Sequence, residues 1–270
     1  MDINRFKDII EYSDVHSREM EEKVRNLYSY LGMDNDREVL NLMQLVRPLF
    51  KDKGYLLIEI PFSDKEIGAL CYKGDSLGYS FLNTSLPKVN VNFALCHEIY
   101  HLFYQETQFR TKIELYINEH YYQHKEEFAA NLFAALLLMP EQSYRLMYRK
   151  FQSESKDGDK DYTILVKLMN YFQVPYMASL IRCYQLRLLE SGSKLEALIN
   201  TDCKMIREEF ARLWLDESIL DATNNDDYKR LEAMVRAAGE RYRAEGYLTD
   251  RTLKKTISNM RRLYIKIKGD

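Results

Sequence analysis

His97-Glu98-Ile99-Tyr100-His101 lies inside Val91 to Tyr104, a largely apolar stretch without proline or glycine. Such a stretch predicts a helix. On a helix, residues four apart share a face, so both imidazoles can point at one ion while Glu98, the next residue round, reaches a water bound to it. A catalytic zinc takes three protein ligands and keeps a fourth position for water, whose pKa falls from about 15.7 to about 7. His97 and His101 account for two of the three. Glu98 cannot coordinate from its angle, but it can take the water's proton and pass it to a leaving amine, so it is the expected general base. The plainer reading is two helix-surface histidines beside a solvated acid, and a third ligand decides between the two.

Candidates for that ligand lie on the next strongly helical run, Lys125 to Met139, which Pro140 ends. A third histidine six residues after the second is excluded, because Thr107 stands there and Tyr104 replaces the glycine which that pattern needs. Glu126, Glu127 and His124 compete for the role. Glu127 has Asn131 one helical turn further on, able to hydrogen-bond a ligand imidazole and fix its tautomer, whereas Glu126 has only Ala130 there. The expectation is Glu127, with Glu126 as a solvated neighbour and His124 as the outside alternative. Taken alone, either carboxylate also reads as a first-turn acid that suits the helix dipole.

These residues carry a resemblance. The pentapeptide, preceded by the strand-like hairpin Gly68 to Asn83 and followed by Glu126-Glu127-Phe-Ala-Ala-Asn131-Leu-Phe133-Ala-Ala-Leu-Leu-Leu138-Met139-Pro140, resembles the ImmA/IrrE family of metallopeptidases. The second block is the more specific of the two. The resemblance implies one zinc ion per chain held by His97, His101 and Glu127, with Glu98 catalytic and Asn131 supporting a ligand. It further implies a protein substrate, typically a transcriptional repressor encoded nearby on a mobile element or prophage, or a part in stress-response regulation. Two positions depart from the family pattern. Cys96 stands where alanine is common, and Ala129 replaces an acid often found two residues before the asparagine. Neither removes a proposed ligand, and since adjacent helix positions diverge by about 100°, Cys96 reads as a small buried residue rather than a fourth ligand.

The global numbers fit a cytoplasmic protein. The chain has 270 residues and a formal charge of −2, which offers no general attraction for nucleic acid. No run of about 18 apolar residues appears, and Met1-Asp-Ile-Asn-Arg lacks the build of a signal peptide, so no membrane association is expected. Cys71, Cys96, Cys183 and Cys203 form no C-x-x-C pair, which argues against a disulfide frame and a structural zinc knuckle.

The expected fold class is α+β: a mostly helical, zincin-like core with a small three-stranded antiparallel sheet, followed by helical carboxy-terminal segments. Met20, Val24, Leu27, Tyr28 and Leu31 repeat at helix spacing up to Gly32, and a second helix is expected from Glu38 towards Phe50. Gly54 to Ile60, Ile67 to Lys73 and Leu77 to Asn83 read as strands, the last two joined through Gly74-Asp75. In zinc peptidases of the resembled build the substrate backbone adds to the sheet edge along the cleft, which makes Leu77 to Asn83 the candidate substrate rail; an ordinary edge strand is the alternative.

Residues 1–150 are expected to form the metallopeptidase domain with amino-terminal helices, and 151–161 a polar linker. Residues 162–199 then hold two helical runs around Gln173-Val174-Pro175, close to a helix-turn-helix. Their second helix offers only Arg182 and Arg187 as cations, so packing or partner docking is favoured over DNA binding. In residues 200–270, Leu231, Met234, Val235, Ala238 and Tyr242 form one apolar stripe, and Leu253, Ile257, Met260, Tyr264 and Ile267 another. The last helix carries Arg251, Lys254, Lys255, Arg261, Arg262, Lys266 and Lys268 without an acid among them, after an acidic stretch from Glu208 to Asp227. The plain expectation is that this face pairs with the acidic stretch or stays solvated; the sharper one is contact with an acidic partner or DNA.

Donors for the oxyanion of a tetrahedral intermediate are sought in His120, Tyr121, Tyr122 and His124, just before the proposed ligand helix. No nucleophilic Ser or Cys arrangement, phosphate-binding loop or dinucleotide fingerprint appears. The expected function is a zinc-dependent endopeptidase that cleaves a regulatory protein, with a repressor as the substrate. The alternative is a non-catalytic regulator that binds a protein or DNA and keeps a structural or vestigial metal site.

Overall fold

A computed structural model describes residues 1–33, 42–74, 78–105, 121–154, 161–189 and 194–269. Its frame is a long helix α1 (Ile3–Tyr30), α2 (Leu42–Asp52), strands β1 (Tyr55–Ile60), β2 (Ala69–Lys73) and β3 (Gly78–Asn83), then α3 (Lys88–Phe103) and α4 (Tyr121–Leu138). Helix α1 starts well before the expected apolar repeat. Asp2 caps it by accepting from the Asn4 and Arg5 amides, and Phe6, two per cent exposed, anchors its first turns in the core. Gly32, at φ +69°, follows its end as expected.

The sheet corrects one expectation. Its order is β1-β3-β2, with β1 parallel to β3 and β2 antiparallel to β3, so the sheet is mixed rather than antiparallel. Strand β3 therefore lies in the middle with both backbone edges paired, and Gly78 to Asn83 cannot accept a further strand as the expected rail; Leu77 lies outside the described residues. The cause is the segment between β1 and β2. Too long to be a tight hairpin turn, it crosses the end of β3 and is tied there by the fully buried Asn83 side chain. Asn83 Oδ1 accepts from the Phe62 amide at 2.9 Å, and its Nδ2 donates to the Asp64 and Ile67 carbonyls at 2.9 and 2.8 Å.

The two sheet faces are covered differently. Tyr55, Leu57, Ala69, Cys71 and Leu82 pack towards α2 and α3. Ile58, Ile60 and Phe81 on the opposite face pack against Leu231, Tyr264 and Ile267 of a carboxy-terminal hairpin, α10 (Tyr228–Ala244) and α11 (Asp250–Lys268). Asp227 closes the outer edge of β1: its carboxylate accepts from the Glu59 amide at 3.0 Å and its own amide donates to the Glu59 carbonyl at 2.7 Å.

Between these lie α5 (Glu141–Glu154), α6 (Asp161–Phe172), α7 (Tyr176–Gln185), α8 (Lys194–Ile199) and α9 (Cys203–Arg212). The expected helical pair corresponds to α6 and α7. Its Met169, Leu180 and Leu186 are buried in a core shared with Phe6 and Tyr144. Arg182, three per cent exposed, donates from Nε to the Met139 carbonyl at 3.1 Å, so this cation serves packing rather than a ligand. Among the described residues, no helix is long and apolar enough to cross a membrane.

Candidate metal centre

Helix α3 is apolar on most sides and buried along its length, as a central core helix should be. Ile99, Leu95 and Cys96 have no exposed surface, which holds the backbone firmly enough for adjacent polar groups to keep a fixed direction. Cys96 packs in the core as expected from its position on the helix.

Helix α4 packs along α3 and brings Glu127 to the histidine pair. Glu127 Oε2 lies 3.2 Å from His97 Nε2, and its Oε1 lies 3.5 Å from His101 Nε2. The two Nε2 atoms are 2.9 Å apart. One ligand atom from each of the three residues falls within 4.8 Å of the others. Glu126, the competing carboxylate, instead accepts from the Tyr100 hydroxyl at 3.1 Å. The side chains of His124, Tyr121 and Tyr122, and all of His120, lie outside the described residues, so the expected oxyanion donors are among neither the placed nor the displaced groups.

Each imidazole is held from behind. His97 Nδ1 is 3.0 Å from Asn131 Oδ1, and His101 Nδ1 is 2.7 Å from Gln105 Oε1. Both partners are carbonyl oxygens, which can only accept, so each Nδ1 carries its hydrogen and each Nε2 turns a lone pair towards Glu127. Two nitrogens and a carboxylate thus converge with no proton donor between them when the histidines are neutral. That arrangement is repulsive by itself and suits a cation, and a set of two imidazoles and one carboxylate suits zinc.

Gln105 was not singled out in the sequence. It sits four residues after His101 but beyond the end of α3, where the chain has left the helix, and its burial at six per cent exposure comes from tertiary packing. Its amide donates to the Tyr100 carbonyl at 3.1 Å and its carbonyl accepts from Lys73 Nζ at 3.0 Å, which bind the helix end to β2. The spacing of four from a ligand histidine was the available signal.

Glu98 is five per cent exposed, and its Oε2 has no hydrogen-bond partner among the described residues. Burial pushes its carboxyl above the usual range, partly offset by His97 and His101 and by the neighbouring Cys71 thiol. For His97 burial works against protonation, but the hydrogen bond to Glu127, the charges of Glu98 and Glu127, and Asn131 outweigh it and raise its pKa. Cys71 itself is held as a thiol, first by burial and then by the adjoining Glu98 charge. Asn131 also lines an apolar cavity of about 200 Å³ between α1, α3, α4 and α7, whose walls include Tyr12, Phe93, Phe128 and Ile181.

A helix-borne histidine pair and an acid from a second helix form a group that could hold a metal ion, with a buried carboxylate on the same helix as the histidines. The family model described as the IrrE N-terminal-like domain, a peptidase family, matches residues 50–184, and the chain belongs to that family. The match covers the sheet, α3, α4 and the helices up to α7, and stops before α10 and α11. No curated protein matches the sequence.

Proposed function

We propose that this chain is a zinc-dependent endopeptidase that cleaves a regulatory protein. The observation that carries the proposal is the convergence of His97, His101 and Glu127 beside Glu98, a buried carboxylate with a free oxygen. His97 and His101 would hold zinc through Nε2, in the orientation set by Asn131 and Gln105, and Glu127 would supply the third donor. When bound, the ion supplies Lewis acidity, lowering the pKa of a coordinated water to about 7 and polarising a peptide carbonyl.

Glu98 takes a proton from the attacking water on its free Oε2 and returns it to the leaving amine nitrogen. The Cys71 side chain on β2 adjoins this carboxyl. A raised carboxyl pKa fits the second of them, in which the group acts as an acid. Glu127, with 55% of its side chain exposed, marks the open side by which a polypeptide reaches the site.

Strand β2 is the edge that flanks the site, through Cys71, and among the described residues it pairs with β3 alone. An extended substrate adding along β2 replaces the rail expected on β3. The apolar cavity beside Asn131 offers a place for one bulky apolar side chain near the scissile bond. Support for a transcriptional repressor as substrate comes from the resemblance of the Glu126 to Pro140 block, and the direct trial is a repressor encoded beside this chain.

Glu98→Gln tests the chemistry. The variant should retain its zinc and lose cleavage by about 10²–10⁴-fold, the usual contribution of a general base. Undiminished cleavage by this variant removes Glu98 from the reaction.

A further inference from the structure

Residues 228–269 hold twelve Lys and Arg against four Asp and Glu, a net charge of +8 in a chain whose total is −2. The remainder of the molecule is therefore strongly acidic, and the overall charge conceals a cationic hairpin. Salt at physiological strength screens charges beyond about 8 Å, so a molecule at the hairpin surface responds to the local +8 rather than to the total.

The cations of the two helices differ in part in what faces them: Lys229, Arg230 and Arg241 of α10 are exposed without an ion pair to a described residue, but its other two are paired. On α10, Arg236 pairs with Glu232 at 2.8 Å, and Arg243 pairs with Glu240 at 2.6 Å and with Asp250 at 2.8 Å. On α11, Arg251, Lys254, Lys255, Arg261, Arg262 and Lys266 are all exposed, and none forms an ion pair with a described residue. Lys268 alone turns back, to Asp226 at 3.5 Å. Of the acidic stretch expected to neutralise this face, Asp226 meets α11, whereas Glu217 and Asp221 pair with Arg207, and Glu209 with Arg212.

At about 100° per residue, these six side chains fall within an arc of roughly 140° on α11. The opposite side carries Leu253, Ile257, Met260, Tyr264 and Ile267, spent on packing: Leu253 lies over Gly239 of α10, and Tyr264 and Ile267 join the sheet core. From Arg251 to Lys266 the row runs for about 22 Å along a rigid helix, the rise of about six base pairs.

We propose that the outward face of α11 binds the phosphate backbone of double-stranded DNA. Two groups of exposed cations in line along one helix face, Arg251 to Lys255 and Arg261 to Lys266, match a polymer with a negative charge every ~1.7 Å better than they match the patchy acidity of a folded protein. The face lacks aromatic side chains on which unpaired bases could stack, which disfavours single strands. An interfacial membrane helix needs a broad free apolar face, whereas this helix packs its stripe from Leu253 to Ile267 and exposes only Leu263 and Ile265 as large apolar side chains. Since the contacts are to phosphate, binding is indifferent to base sequence. This function does not depend on the peptidase reading.

Fluorescence anisotropy of a labelled 24-base-pair duplex of mixed sequence, titrated with the full chain from 50 to 200 mM salt, provides the test. The expected result is binding that weakens with salt on a slope of about −0.9 per phosphate contacted, with four to six contacts. Lys254→Gln/Lys255→Gln/Arg262→Gln should weaken it at least tenfold at 50 mM salt and reduce the slope by about 2–3, with an unchanged melting transition. Arg236→Gln, which removes a paired cation on α10, should leave affinity within about twofold. Absence of binding at 50 mM salt, or a triple variant that binds as tightly as the parent, overturns the proposal. So does equal or tighter binding to polyglutamate or to vesicles containing anionic lipid, which would assign the face to an acidic protein or a membrane surface.

Discussion

The two faces of one three-stranded sheet have been put to opposite uses. On one, α3 buries Glu98 and His101 among apolar side chains and directs His101 Nε2 towards Glu127. On the other, α10 and α11 cover Ile58 and Ile60 with an apolar stripe and direct their charge outwards. Burial on the first face makes each polar atom depend on a fixed partner, because an unpaired polar group there costs about 1–3 kcal/mol. Exposure on the second leaves charges that are nearly free to exchange for stability and that act only when something outside meets them. Substitutions should therefore separate cleanly into those that damage the fold or the metal site and those that change only surface binding.

The largest effect on stability is expected at Asn83, where the sheet order is fixed. Asn83→Ala leaves the Phe62 amide and two carbonyls without their partner and should cost about 2–4 kcal/mol, measured as a lowered urea midpoint. A loss below about 0.5 kcal/mol would show that the crossing segment is held by something else.

Next come the two side chains behind the histidines. Asn131→Ala and Gln105→Ala should each weaken zinc affinity by about 10–100-fold, read by competition with a chromogenic chelator, because each frees one imidazole to turn. Equal affinity in Gln105→Ala would reduce that residue to a packing role.

A smaller effect concerns pH. Glu209 is held below the usual carboxylate range, first by its hydrogen bonds from Arg212, opposed by burial, and also by the Thr163 hydroxyl. A carboxylate depressed in the folded state contributes stability that is fully present above its unfolded pKa, near 4.3, and is lost as pH falls through the folded value. Glu209→Gln should therefore lower stability at pH 7 and flatten its decline below about pH 4.5, seen in urea midpoints across that range. A parallel offset at every pH would contradict this assignment. The smallest effect belongs to the outer face: Lys254→Gln/Lys255→Gln should change stability by less than about 0.5 kcal/mol.

What could be read in the sequence follows the same division. The candidate site was legible because His97 and His101, and likewise Glu127 and Asn131, are four residues apart and so share a helix face, and the structure brings these side chains together. The packing stripe of α11 was legible for the same reason, since Leu253, Tyr264 and Ile267 recur with the helix period and reach the core. On α10 the corresponding stripe was overestimated. Met234 and Tyr242 are both 47% exposed, because only the start of that helix reaches the sheet. The mixed sheet was not legible, since local turn signals report which strands follow one another and not where a longer segment crosses. That crossing depends on Asn83, which meets residues 16 to 21 positions away. Gln105 escaped notice because its position is set by a helix end packed on β2, so that its spacing of four from His101 was a signal without a helix to carry it. The state of the α11 cations also depended on tertiary structure, because it required knowing which acids of the preceding stretch pair with Arg207 and Arg212 and which meets α11.

Zinc content of the purified full chain, measured by mass spectrometry of the metal after gel filtration, tests the central claim most directly. The arrangement of His97, His101 and Glu127 predicts about one equivalent in the parent and in Glu98→Gln, and less than a tenth of an equivalent in His97→Ala. A parent chain that binds no zinc when the metal is supplied, or a His97→Ala variant that keeps a full equivalent, would contradict it.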